Sequence, residues 1–215
     1  MMNTPHLETT NLTAMQELKA ATKGSHDQLE EIAQSKRILS PDMSLDEFKG
    51  LMKGHYQLHQ LLEAPLTVIL DRELATFNYG QERQKLRLLE QDLLDLGLSA
   101  EACQSHLACF AFNSLPEALG IAYVLEGSTL GGNVIRKALQ RHTDLPQSCQ
   151  FHYYDCYGDQ LGQRWLEFSR IVNQHLTDSH DIQSACQAAI ETFKLAANIF
   201  SECVIKQESS VGSAR

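Results

Sequence analysis

A chain of 215 residues with 43% hydrophobic content suits one large domain with a sizeable core. Its formal net charge of -9 excludes a phosphate-neutralising surface, and with it nucleic-acid binding as the main function. No apolar run approaches the roughly 18 residues that a membrane helix needs. The first residues lack a basic start and an apolar stretch, so we expect a cytoplasmic protein with no signal peptide and no membrane partner.

In chain order, residues 1–10 are polar and expected to be flexible. Thr13 and Gln16 form a capping box, and Met15, Leu18, Thr22, His26, Leu29 and Ala33 then step by threes and fours along one inward helix face. Ser44 and Glu47 form a second box, opening a helix through Phe48, Leu51, Met52, His55, Leu58 and Leu62 that should end near Pro65. Residues 65–71 read as a further helix, and residues 81–96 as a charged helix closed by Gly97. A short helix is expected over 99–111, and Ser114 to Pro116 restart the chain into a helical run over 116–142. Residues 143–148 are a loop by composition. The aromatic stretch 151–157 reads as a loop or the start of a helix, with a short strand as the losing option. Residues 160–174 and 181–205 are helical by periodicity, and the tail 206–215 is expected to be disordered. With no repeat, no long linker and no strand alternation, the expected fold is one all-α domain over residues 11–205, of seven to nine helices.

The run over 116–142 carries Gly127, Gly131 and Gly132, each costing about 1 kcal/mol of helix stability relative to alanine. Gly127 and Gly131 are four apart, so one helix would place them on one face, with Gly120, Val124, Ile135 and Ala138 extending the stripe. Bare backbone there admits either a second helix or a flat ligand. The stretch matches neither G-x-x-x-x-G-K-[ST] nor G-x-G-x-x-G after a strand. Glu126, Arg136 and Lys137 also exclude a membrane dimer face.

His26 on its apolar face is either a satisfied core residue or an iron ligand, since haem takes one proximal histidine from a packed helix. Lys19 and Lys23, on the same helix, are either a solvated face or partners for porphyrin propionates. His55 and His59 have i, i+4 metal-pair spacing, but Tyr56 stands where H-E-x-x-H has its glutamate, so a structural role is favoured. None of the nine histidines follows a glutamate by three, which excludes a di-iron bundle. The six cysteines form no C-x-x-C pair or zinc spacing and read as reduced thiols.

Together, Leu18-Lys-Ala-Ala-Thr-Lys-Gly-Ser-His26 and Tyr123-Val-Leu-Glu-Gly-Ser-Thr-Leu-Gly-Gly132 resemble the haem oxygenases. The likeness is nearest to the bacterial biliverdin-producing branch, which includes enzymes that supply bacteriophytochromes. It runs on through the aromatic stretch and Trp165-Leu-Glu-Phe-Ser-Arg170. The resemblance implies a single-domain helical bundle holding haem b between a proximal first helix and a kinked, glycine-rich distal helix. It makes His26 the axial iron ligand and Gly127, Ser128, Gly131 and Gly132 the distal, catalytic stretch. Lys19, Lys23 and Arg170 match positions near the propionates. Ser128 stands where mammalian members have an aspartate, and Leu166 where a lysine occurs.

The implied activity is cleavage of the haem ring at a meso carbon to biliverdin, CO and Fe2+, with haem as both cofactor and substrate and O2 as co-substrate. Electrons are expected from a partner such as a ferredoxin or a flavoprotein reductase, because the sequence has no flavin or iron–sulfur motif. A haem carrier or sensor without turnover is the alternative. A helical scaffold, or a thiaminase-like hydrolase of related fold, is the third.

Overall fold

The computed structural model describes residues 12–33, 35–103, 105 and 107–211, and no strand occurs among them. The expectations for residues 1–10 and for the end of the tail fall outside these residues. Helix α1 (Ala14–Ile32) and helix α2 (Leu45–Glu73) both open on the capping boxes anticipated at Thr13 and Ser44. Helix α2 does not stop at Pro65: it continues through it. A proline here removes one backbone hydrogen bond and crowds the preceding turn. Buried Leu62, Leu66, Ile69 and Leu70 keep that face packed on both sides of it, and this packing overrides the local cost.

The expected helix over 81–96 is divided into α3 (Tyr79–Glu82) and α4 (Leu86–Asp95). Arg83 and Lys85 are the reason. Both are fully buried, and residues two apart cannot share a helix face, so the chain leaves the helix to turn both inward. Gly97 does close α4, at φ +71°. The helix expected over 99–111 is reduced to a single 3-10 turn, Glu101–Cys103, followed by irregular chain from 107 to 113. Apolar content there was not matched by helical period.

Ser114 caps α5 (Leu115–Gly127), which gives way to a turn over 128–131 before α6 (Gly132–Leu139). The run over 116–142 is therefore bent at its glycines, not continuous. The aromatic stretch forms 3-10 turns at Tyr153–Asp155 and Gly158–Gln160, with Phe151 in the left-handed region at φ +57°. Helix α7 (Leu161–His175) and helix α8 (Ser179–Val211) complete the chain, α8 running past the expected end at 205.

Helix α8 is the spine, with α1, α2 and α5 packed against it. Small buried residues on α8 (Ala185, Ala188, Ala189, Ala196) permit close approach. At Gly120 of α5 a Cβ would lie 2.1 Å from the Ala185 carbonyl oxygen, so only glycine fits that crossing. A second core of Phe48, Met52, Leu89, Leu93, Leu139, Phe151, Tyr153 and Tyr154 joins α2, α4 and α6 to the aromatic turn. Helix α6 is thus backed by aromatic side chains on one side.

Candidate functional site

The glycines of the stripe separate into two kinds. Gly120 and Gly132 are packing positions: at Gly132 a Cβ would meet the Tyr154 carbonyl oxygen at 2.4 Å. Gly127 and Gly131 are not. A Cβ at Gly127 meets only Trp165, at 4.0 Å, and one at Gly131 meets only the flexible end of Ile135, at 3.3 Å. Neither has a positive φ. Neither packing against a second helix nor backbone conformation explains these two, so the sequence keeps bare backbone where the rest of the protein makes no use of it.

The turn is tight. Leu130 N–H donates to the Gly127 carbonyl at 3.1 Å and Gly132 N–H to that of Thr129 at 2.8 Å. Ser128 Oγ donates to the Leu125 carbonyl at 2.7 Å and meets the Tyr153 hydroxyl at 2.8 Å. With the serine proton committed to Leu125, the phenol is the donor between the two. Burial pushes the Tyr153 pKa up, against the pull of Ser128, so the phenol stays protonated at neutral pH.

His26 is not a core histidine. The buried face of α1 ends at Thr22, and the His26 side chain is 54% exposed, edge-on to Phe193 at 5.8 Å. Carboxylate oxygens of Asp27 and Glu30 lie 3.9 Å from its two ring nitrogens. Lys19, Lys23 and Arg170 are exposed, and Lys23 Nζ donates to Asp27 at 2.5 Å. Lys23 is therefore committed to the carboxylate beside His26, a pairing the sequence reading did not anticipate.

Behind the turn lies a buried polar network that the sequence reading missed. Glu126, immediately before Gly127, accepts from Arg83 Nη1 at 2.8 Å, from Lys85 Nζ at 2.6 Å and from the Tyr157 hydroxyl at 2.9 Å. Arg83 also donates to Glu167 at 2.6 Å and lies over the Phe77 ring, 4.3 Å from its centroid. Burial opposes the charge on Lys85, but Glu126 together with Tyr157, Tyr79 and Cys156 outweighs it and holds the ammonium well above its ordinary pKa. Glu126 is the one acid in the buried apolar run from Ala118 to Leu125 and on to itself, which was the signal: a lone buried acid needs a partner.

His55 and His59 do not form a metal pair. His59 Nδ1 bonds Glu63 at 2.6 Å, and Glu63 accepts the Lys85 and Leu86 amides that open α4. His55 stands among the rings of Tyr153, Tyr154 and Phe200. Burial, with His59 adding to it, pushes its pKa down to about 3. Below its ordinary pKa of about 6.5 the unfolded chain takes a proton that the folded one refuses. Stability from this group is thus lost as pH falls, by at most about 1.4 kcal/mol per pH unit. Between pH 7 and 5 the wild type should lose urea resistance relative to His55→Phe. Parallel curves for the two proteins would count against it. Taking the difference removes Asp92, whose carboxyl, pushed up to about 6 by burial, acts in the opposite sense.

A cavity of about 480 Å3 is lined by Arg136, Gln140, Cys149, His152, Asp155 and Cys156, none of them a site residue expected from the sequence. No helix among the described residues is long and apolar enough to cross a membrane.

The chain is similar to several solved structures. Heme oxygenase from Neisseria meningitidis, in its NO- and CO-bound forms, superposes with a TM-score of 0.70 at 22% identity, over 90% of this chain and 92% of that one. Heme oxygenase from Leptospira interrogans gives 0.71 at 16% identity, over 89% and 100%. Heme oxygenase-1 from the cyanobacterium Synechocystis, in complex with heme, gives 0.69 at 17% identity, over 94% and 96%. No curated protein sequence matches. At these identities the likenesses establish the fold. The sequence model of the family described as heme oxygenase matches residues 12–202, nearly the whole described chain, and the protein belongs to the heme oxygenase family.

Proposed function

We propose that the protein binds haem through His26 and opens its ring to biliverdin, releasing CO and Fe2+, with O2 and electrons from an external ferredoxin or flavoprotein reductase. The observation that carries this reading is the pair Gly127 and Gly131, which keep bare backbone where no protein atom needs it. A flat ligand pressed on the turn explains both. Haem fits the residues present: a half-exposed imidazole on α1, and side-chain-free backbone at Gly127 and Gly131 of the turn.

The haem, once bound, supplies the redox chemistry at its own ring. The protein's part is placement and proton supply. His26 would hold the iron through one ring nitrogen, with a carboxylate 3.9 Å from the other. Gly127 and Gly131 would let a flat ring come against the bare backbone of the turn. Ser128 carries no acid, and its Oγ is held from behind by the Leu125 carbonyl and the Tyr153 hydroxyl, so these side chains keep the turn in place and leave proton delivery to water admitted beside the bare backbone. Lys19 and Arg170, exposed on α1 and α7, pair with the propionates, and Lys23 does so only by leaving Asp27. The acceptor to which the product is suited is a bacteriophytochrome.

Titration of the apo-protein with haemin, followed by reductant in air, tests the reading. A stoichiometric Soret band that decays to a broad red pigment absorption is expected. A persistent band under adequate electron supply would favour a carrier, and no band would overturn haem binding.

Two glycine substitutions of opposite sign sharpen the test. Gly127→Ala should leave the apo-protein as stable or up to about 1 kcal/mol more so, because alanine restricts the unfolded chain, yet weaken haemin binding. Gly120→Ala should cost about 1–3 kcal/mol through overpacking on Ala185. Gly131→Leu should block the face altogether. Normal O2 binding and an unchanged pigment isomer in that variant would count against the role given to these glycines.

A further inference from the structure

The distal turn is gripped from behind at both of its ends by one short segment. The Tyr153 hydroxyl meets Ser128 Oγ at 2.8 Å, and the Tyr154 carbonyl lies so close to Gly132 that a Cβ there would stand 2.4 Å away. Residues 128 and 132 therefore cannot keep their places if residues 153–154 move. The segment itself has little regular structure, being one 3-10 turn preceded by Phe151 at φ +57°, a conformation that a residue with a Cβ rarely adopts. Something outside the segment must fix it.

That anchor is Asp92, buried on α4. Its Oδ1 accepts the His152 amide at 2.7 Å and its Oδ2 accepts the Tyr153 amide at 2.8 Å. A second carboxylate, Asp95, accepts the Gln150 amide at 3.2 Å and lies 3.8 Å from His152 Nε2. The donor atoms of Asp92, Asp95 and His152 all lie within 4.8 Å of one another, yet the carboxylates are already engaged with backbone amides. The cluster is accounted for as a backbone clamp. Asparagine at position 92 would keep the shape and the packing, but it would present one acceptor and one donor where two amides both need an acceptor.

We propose that Asp92 is a positioning residue for the distal turn. By holding the amides of residues 152 and 153 it sets where Tyr153 and Tyr154 grip residues 128 and 132, and so where Gly127 and Gly131 stand over the bound ring. The second half rests on the haem reading given above. The first half is a property of the protein alone.

The test uses the full chain with Asp92→Asn and Tyr153→Phe. Hydrogen exchange of the apo-proteins reads the mechanical coupling. In Asp92→Asn, exchange should quicken roughly tenfold or more at residues 152–153, the scale of one charge-assisted bond, and quicken also at 128–132. In Tyr153→Phe, residues 128–132 should quicken while 152–153 do not. Faster exchange at 152–153 that stops short of 128–132 overturns the proposal.

The haemin-loaded proteins then read the consequence. Both variants should form the Soret band at wild-type stoichiometry but give a changed distribution of pigment isomers. The double variant should be no worse than the stronger single, because both act through one contact. A merely structural role for Asp92 would lower the melting temperature and leave the isomers alone, and that result also overturns the proposal. Should Asp92→Asn fail to fold, Tyr153→Phe decides: unchanged exchange at 128–132 with unchanged isomers defeats it. If the wild type forms no haemin complex, the haem reading and the ring-placement half fall together, while the apo exchange pattern still decides whether Asp92 controls the turn.

Discussion

Replacing His26 by alanine should reduce haemin degradation to less than about one hundredth of wild type, because even partners one shell out from a metal cost about 10–100-fold when removed. The apo-protein should scarcely notice. The side chain is 54% exposed and its nearest carboxylates are 3.9 Å away, so the substitution removes no close bond and only an edge contact with the Phe193 ring. Surface changes of that kind stay within about 0.5 kcal/mol. Activity and stability therefore part company at this residue, which a buried histidine would not allow. The ferric Soret band should shift or broaden as the axial nitrogen is lost, and millimolar imidazole should restore both the band and part of the turnover by filling the space. Wild-type turnover in His26→Ala would sink the ligand assignment. Loss of turnover that imidazole does not rescue, with a normal Soret band, would move His26 from ligand to bystander.

Helix existence was legible from periodicity and capping boxes because those signals are local. Thr13 with Gln16, Ser44 with Glu47, and Gly97 all act where a residue-by-residue reading places them. What defeated that reading was long range. Pro65 is a helix stop by itself, and only the packing of Leu62, Leu66 and Ile69 carries α2 through it. Arg83 and Lys85 are good helix formers on a charged surface, and only the buried Glu126, more than forty residues away, draws them inward and breaks the helix. The glycine stretch shows the same limit within one motif. Four glycines look alike in sequence, yet Gly120 serves α8 and Gly132 serves Tyr154, while Gly127 and Gly131 serve no protein atom. His26 was singled out from the sequence, but it was placed on the inward face, where the helix period would put it. The fully buried face ends one turn earlier, at Thr22, and beyond it Leu29 and Ile32 pack only in part, with His26 on the open edge of the helix beside Phe193.

Glu126→Gln should destabilise the protein by about 3–5 kcal/mol, the cost of leaving buried charge without its counterion. Glu126 is 2% exposed, Arg83 is 0% and Lys85 is 1%, so water cannot take over the missing role. Glutamine keeps the volume and can accept from one cation, but it turns an amide donor toward the other. Arg83 retains Glu167, which is 42% exposed on its side chain, whereas Lys85 is left with only the Arg83 carbonyl among its hydrogen-bond acceptors. Most of the loss should therefore come from Lys85. That assignment has its own consequence: Lys85→Met on the Glu126→Gln background should recover part of the stability, although Lys85→Met alone destabilises, since it strands one carboxylate charge against Arg83 and Tyr157 only. For a domain of this size about 3–5 kcal/mol corresponds to a fall in melting temperature of roughly 6–20 °C. Urea unfolding of the four proteins in the cycle measures the coupling. A loss below about 1 kcal/mol in Glu126→Gln would mean that the two cations find other partners. The same cluster also ends at Gly127, so the single variant should bind haemin less tightly even where it remains folded. Position 126 ties the turn to the core as position 127 leaves it open, and one residue of chain separates a requirement for buried charge from a requirement for no side chain at all.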